Sequence, residues 1–239
     1  MIKFGKEHWQ LLLIAIVIFI FWDTRAVWPL KMLVVFFHEL SHAIAVVLTG
    51  GRVESITLNA LQGGVTRFTG GSLFVSASAG YVGSLLFGVL LFVIAVRTHW
   101  DRLVVMALGI IMAGVAILVM RQMFALGFTI IFAGGLILSA KFLPLIFNDL
   151  VLRVVGLTSL MYAPYTIISD TLRRSYLRSD ARIIAETYGG PTIMWGLIWL
   201  AISVAVLFAT FRWGLKGSSN ISWRQILPHG SSPAEQTDP

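Results

Sequence analysis

The chain contains no cysteine, which excludes disulfides and thiolate metal ligands alike. It is also poor in charge. Of its 239 residues, 12% are Asp, Glu, Lys or Arg and 57% are hydrophobic. A water-soluble domain carries roughly 25% charged residues, so a soluble fold of this size is excluded. The mean hydropathy of +0.86 points the same way, to a polytopic membrane protein. The net charge is +7, yet the basic residues are scattered between apolar runs and form no block. Nucleic acid is therefore excluded as a partner, and lipid head groups take its place. Nor does a small-residue cleavage site follow the first apolar run, where the chain continues Asp23-Thr24-Arg25. That run is read as a retained span and not as a signal peptide.

Six to seven transmembrane helices are expected, with a small β-hairpin after the second, making an all-α polytopic membrane protein. The first span covers about Trp9–Trp22, with tryptophans at both ends as interfacial anchors. The second covers about Leu30–Leu48 and ends at Gly50-Gly51. Arg52 to Asn59 and Val65 to Thr69 then alternate apolar with polar residues, as strands do, with Gln62-Gly63-Gly64 as the turn between them. This hairpin, residues 52–71, is too polar to face lipid. It is either an interfacial hairpin or an edge that pairs with an extended peptide. Later spans are read at about Leu73–Val96, Leu103–Met120, Met123–Ala140, Leu150–Ile168 and Thr192–Phe211. The third opens with the small residues Ser76 to Gly80, followed by Gly83, Ser84 and Gly88, which suit close packing against the second. In the polar segment 170–190, Arg174, Arg178 and Arg182 recur every four residues. The segment is read either as a helix that lays one basic stripe on an anionic membrane surface or as a solvated connector. A single domain over 1–216 and a disordered tail over 217–239 are expected.

Within the second span lies His38-Glu39-Leu40-Ser41-His42, which fits H-E-x-x-H. On a helix the two imidazoles lie one turn apart on one face and can grip one metal ion. Glu39 can then reach a water on that metal. The helix around the motif is apolar on nearly every side. An ionisable side chain in mid-span costs roughly 2.5–3.5 kcal/mol, so three within five residues need a compensating partner, and a metal is the obvious one.

A catalytic zinc site takes three protein ligands, and the third here must be Asp, Glu or His. With the N-terminus in the cytoplasm, the second and sixth spans both run inward. His42 then lies six residues before the inner end of the second span, and Asp170 lies at the inner end of the sixth. It is the leading candidate, followed by Asp180 in the polar segment and then by Asp149.

These features resemble the site-2 protease family of intramembrane zinc metalloproteases. The resemblance rests on His38–His42 within a span, the glycine-bounded hairpin Arg52–Gly71, the small-residue run Ala79-Gly80-Tyr81-Val82-Gly83-Ser84 and a late Asp170. It is nearest to the minimal bacterial branch that lacks a PDZ domain. Two departures stand out. Ile168-Ser169-Asp170-Thr171 replaces the family's Asn-Pro-Asp-Gly, and Gly80-Tyr81…Ser84 replaces its Gly-Pro…Asn. The resemblance implies zinc held by His38, His42 and a late aspartate, and Glu39 as the catalytic acid/base. It also implies cleavage of transmembrane protein substrates in a bacterial plasma membrane. A metal carrier or a non-catalytic binding protein would have no need of Glu39 beside the first His.

Overall fold

The structure is a computed structural model that describes residues 2–174, 178–216 and 219–221. Among these are eight α-helices and one two-stranded antiparallel sheet. In chain order they are α1 (Ile2–Ile20), α2 (Trp28–Leu48), β1 (Arg52–Asn59), β2 (Gly63–Thr69), α3 (Leu73–Arg97), α4 (Asp101–Val119), α5 (Met123–Phe142), α6 (Leu145–Ile168), α7 (Asp180–Tyr188) and α8 (Thr192–Gly214). Six are long and apolar enough to cross a bilayer, namely α2 to α6 and α8. Helix α1 carries Lys3, Lys6 and Glu7 in its first two turns and is not among them. The protein is an integral membrane protein built of helices, with the expected hairpin after α2.

Helix α2 is the inside of the molecule. Of its span 78% is buried, against 17% of α8. Met32, Leu33, Val34, Phe36, Phe37 and Val46 have no exposed surface at all. Pro29 sits in its first turn, where the missing N–H costs no hydrogen bond. By contrast, large apolar side chains such as Ile131 on α5 and Phe208 on α8 are exposed, as a lipid-facing surface requires. Helices α3 and α6 pack on α2 and on each other through bare backbone. A Cβ on Gly156 would stand 2.8 Å from the Phe92 nitrogen, and one on Gly88 would stand 2.9 Å from the Ser159 Cβ. Ser159 Oγ donates to the Ser84 carbonyl at 2.7 Å across the same seam. Such small-residue crossings, with a hydroxyl satisfied across the interface, are how helices associate where no hydrophobic force acts between them.

The hairpin lies along α2. Ile56 and Leu58 of β1 are buried in the core. Register runs from Arg52 opposite Thr69 to Asn59 opposite Gly63, with a bulge between Val53 and Ser55. The turn is made by Ala60, Leu61 and Gln62, one step earlier than the glycines suggest. Asn59 Oδ1 accepts from the Leu61 and Gly63 amides, and Gln62 takes φ +64°. An Asx turn thus closes the hairpin and leaves Gly63 and Gly64 inside β2.

Two expectations are corrected. Residues 170–190 do not form one helix with a basic stripe. Helix α6 holds Pro164 and runs into a π-helical turn at Ser169–Arg173. Residues 175–177 lie outside the described residues, and α7 starts afresh at Asp180. The N-terminus and segment 170–190 were also expected at the same membrane face. Instead they lie at opposite ends of α8. At one end Gly196 packs on Thr171 and Trp199 on Tyr81. At the other, Phe211 packs on Phe92, and the Trp213 carbonyl accepts from Arg97 Nη2 at 2.7 Å. Beyond that second end, Ser219 meets Glu7 and His8, and Asn220 meets the Lys6 carbonyl. The cause is α1, which runs in the same direction as α6. Its early residues reach Ser219 beside Arg153, and Trp22 after its end packs on Tyr162 and Tyr165. The tail expected to be disordered lies outside the described residues except for 219–221.

Candidate metal centre

His38 and His42 project from adjacent turns of α2, with ring centroids 4.6 Å apart and ring planes nearly perpendicular at 81°. The floor beneath them is the bare backbone of α3. A Cβ on Gly80 would come within 2.5 Å of His42 Nε2 and 2.6 Å of His38 Cε1. The small-residue start of α3 is therefore what lets the histidine pair sit at a helix interface.

One hydrogen bond fixes the tautomer of His42. Its Nδ1 lies 2.6 Å from the Ser76 carbonyl oxygen. A carbonyl only accepts, so Nδ1 carries the proton and donates, which leaves the Nε2 lone pair pointing into the site.

Asp180 faces that lone pair. Its Oδ2 stands 3.4 Å from His42 Nε2 and 3.0 Å from His38 Nε2. One ligand atom from each of the three residues lies within 4.8 Å of the others, the one such group of metal-ligating side chains among the described residues. Burial would push the Asp180 carboxyl up, but the His42 and His38 imidazoles beside it hold it below the usual carboxylate range. It is thus an anion at neutral pH. Asp180 thus meets Nε2 of both imidazoles, and a cation that displaces the protons between them would be held by all three side chains. Two imidazole nitrogens and one carboxylate, with a position left open, are the donor set of a catalytic zinc.

Sequence reasoning put Asp170 first. The structure engages it elsewhere. Its Oδ2 accepts from Tyr81 Oη at 2.9 Å, and its Oδ1 from Arg174 Nη2 at 3.2 Å. Asp170 therefore stands one residue layer away, tied to Tyr81, whose ring centroid is 5.4 Å from that of His38. Asp149 is at the far end of α6, paired with Arg153 at 2.7 Å. Of the three aspartates, Asp180 alone meets the histidines. A signal for it exists in the sequence. Ser179 is a good N-cap, and its Oγ accepts from the Arg182 amide at 3.3 Å. Reading a helix start there, not a continuous helix from Asp170, places Asp180 on the first turn of a new element that is free to fold back over α2.

Glu39 is buried, and β2 covers it. Thr66 Oγ lies 2.7 Å from Glu39 Oε2. A cavity of about 1110 Å³ opens onto His38, Glu39, His42 and Asp180, with all of β2 from Gly63 to Thr69 along its wall.

A family model described as Peptidase M50B-like matches residues 11–210. The chain belongs to this family. The likeness to the site-2 protease family, carried by the His38–His42 motif and the hairpin, is thereby established. No curated protein and no solved structure matches the chain. In this M50B-like fold, a group able to hold a metal is formed by the interior helix α2 and the first turn of α7, and it lines a cavity.

Proposed function

We propose that this M50B-like protein is a zinc metalloendopeptidase that cleaves transmembrane protein substrates within the bilayer. The observation that carries this reading is the convergence of His38, His42 and Asp180 on one point beside Glu39, inside an apolar helical shell. His38, His42 and Asp180 would hold the metal, so Asp180 takes the place that sequence reasoning gave to Asp170. Zinc held there supplies Lewis acidity, polarising a scissile carbonyl and lowering the pKa of a water to about 7. Glu39 takes a proton from the attacking water and returns it to the leaving amine. The Ser76 carbonyl holds His42 in the tautomer that leaves Nε2 free.

A spanning helix hides its peptide bonds in internal hydrogen bonds, so a substrate must unwind locally before it can be cut. One edge of β2 pairs with β1, and β2 also walls the cavity. Its other edge offers backbone partners to an extended peptide and holds it by β-augmentation.

The test is to reconstitute the purified protein in liposomes with single-span peptides and map the products by mass spectrometry. Cleavage inside the apolar segment is expected, lost on chelation and regained with added zinc. Absence of cleavage across the panel, or cleavage indifferent to chelation, would overturn the proposal.

A further inference from the structure

We infer that β2 is built to hold the carboxylate of Glu39, with Thr66 as its positioning residue and Gly64 as the gap into which it fits. The inference rests on the reading of Glu39 as the proton acceptor.

Glu39 is 3% exposed, so its carboxylate has little water to solvate it, and an unpartnered buried carboxylate is costly. Among the described residues Thr66 supplies the hydrogen bond. Its Oγ lies 2.7 Å from Glu39 Oε2 and 3.0 Å from the Glu39 carbonyl oxygen. A hydroxyl has one proton to give, and the carboxylate is the stronger acceptor. Thr66 thus pins Oε2 against the strand. The other oxygen lies over Gly64, where a Cβ would stand 2.5 Å from both Oε1 and Cγ of Glu39. No residue larger than glycine fits there unless Glu39 moves. Thr66 and Gly64 lie on the same strand and grip the two oxygens of one carboxylate. That strand also walls the cavity in which a substrate would lie. Any shift of β2 is therefore delivered to Glu39.

A residue that only stabilises the fold would not separate valine from serine in kcat at unchanged zinc content and Tm, so the test turns on that pair of variants. Full-length Thr66→Val, Thr66→Ser and Gly64→Ala are compared with wild type in liposomes. Thr66→Val keeps the shape and removes the donor. Its kcat on a membrane peptide is expected to fall about 10–100-fold, as for other groups that orient a site residue, with KM, zinc content and Tm close to wild type. Thr66→Ser should restore kcat, and Gly64→Ala should fall as Thr66→Val does. A second readout needs no turnover. The infrared difference between wild type and Glu39→Gln isolates the carboxylate band of Glu39. Thr66→Val should shift that band, and Thr66→Ser should leave it in place. An unshifted band with wild-type kcat in Thr66→Val would overturn the inference, and so would an equal fall in Thr66→Ser. If wild type cleaves no peptide, the protease reading fails, while the infrared band still decides the role of Thr66.

Discussion

Asp180 Oδ2 lies 3.0 Å from His38 Nε2 across 142 residues of sequence. The contact joins the interior helix α2 to the first turn of α7, which the chain reaches only after four further spans. Three devices bring the two together. Glycines at the start of α3 let it lie against the histidines. The α3–α6 seam fixes the end of α6 on the same side. Ser179 then caps a new helix that starts at Asp180. A metal held by the proposed set, which the last of these elements closes, would report on the assembled fold.

The first prediction separates the two aspartates. Asp180→Ala removes one of the three proposed ligands and should bring zinc content down toward that of a His38→Ala, His42→Ala double variant. Asp170→Asn should keep near-wild-type zinc. Weakening its bonds to Tyr81 and Arg174 should instead cost stability, about 0.5–1.5 kcal/mol for a disturbed hydrogen bond of a half-buried group. Elemental analysis and thermal unfolding of the same samples read both. Full zinc in Asp180→Ala, with loss in Asp170→Asn, would restore the assignment made from sequence.

A second prediction concerns the floor of the site. Gly80→Ala places a methyl within 2.5 Å of the His42 ring. Overpacking of this kind costs about 1–3 kcal/mol, and here it should also displace a ligand and lower zinc affinity. Gly114→Ala, on α4 with nothing within 4 Å, is the control. It should leave zinc unchanged and stabilise its helix by about 0.5–1 kcal/mol. Zinc titration and thermal melts of both variants check this. Wild-type zinc affinity in Gly80→Ala would show that α3 does not press on the pair.

Helix α8 sets up the third prediction. Because its two ends carry α7 and the N-terminal segment respectively, Lys6→Cys and Arg178→Cys should react with an impermeant thiol reagent from opposite sides of a sealed vesicle. The chain has no native cysteine to confuse the result. Labelling of both from one side would contradict α8 as a span between them.

Much of this architecture is legible in the sequence because the bilayer enforces it. Hydrophobic runs give α2 to α5 and α8 to within a few residues, and alternation gives both strands. The His38–Glu39–His42 constellation is equally plain, since its spacing is local to one helix. Asp180 is not, because its place depends on where α6 ends and α7 begins. Arg174, Arg178 and Arg182 suggest a continuous helix, whereas a π-helical turn and the Ser179 cap break it. Thr66 and Gly64 read as parts of a hairpin, and nothing local in them points to Glu39. That contact exists only because the hairpin lies along α2. The direction of α1 is hidden for a similar reason. Alternation of successive spans is a sound default, and the hydrogen bonds of Glu7 and His8 with the ring contacts of Trp22 override it.

The most direct test of the account is Glu39→Gln, with activity and zinc measured on the same reconstituted samples. The substitution keeps shape and leaves His38, His42 and Asp180 intact, but the amide cannot accept the proton. Cleavage of a membrane peptide should fall about 10²–10⁴-fold, while zinc stays at the wild-type level. Undiminished cleavage by Glu39→Gln would contradict the account.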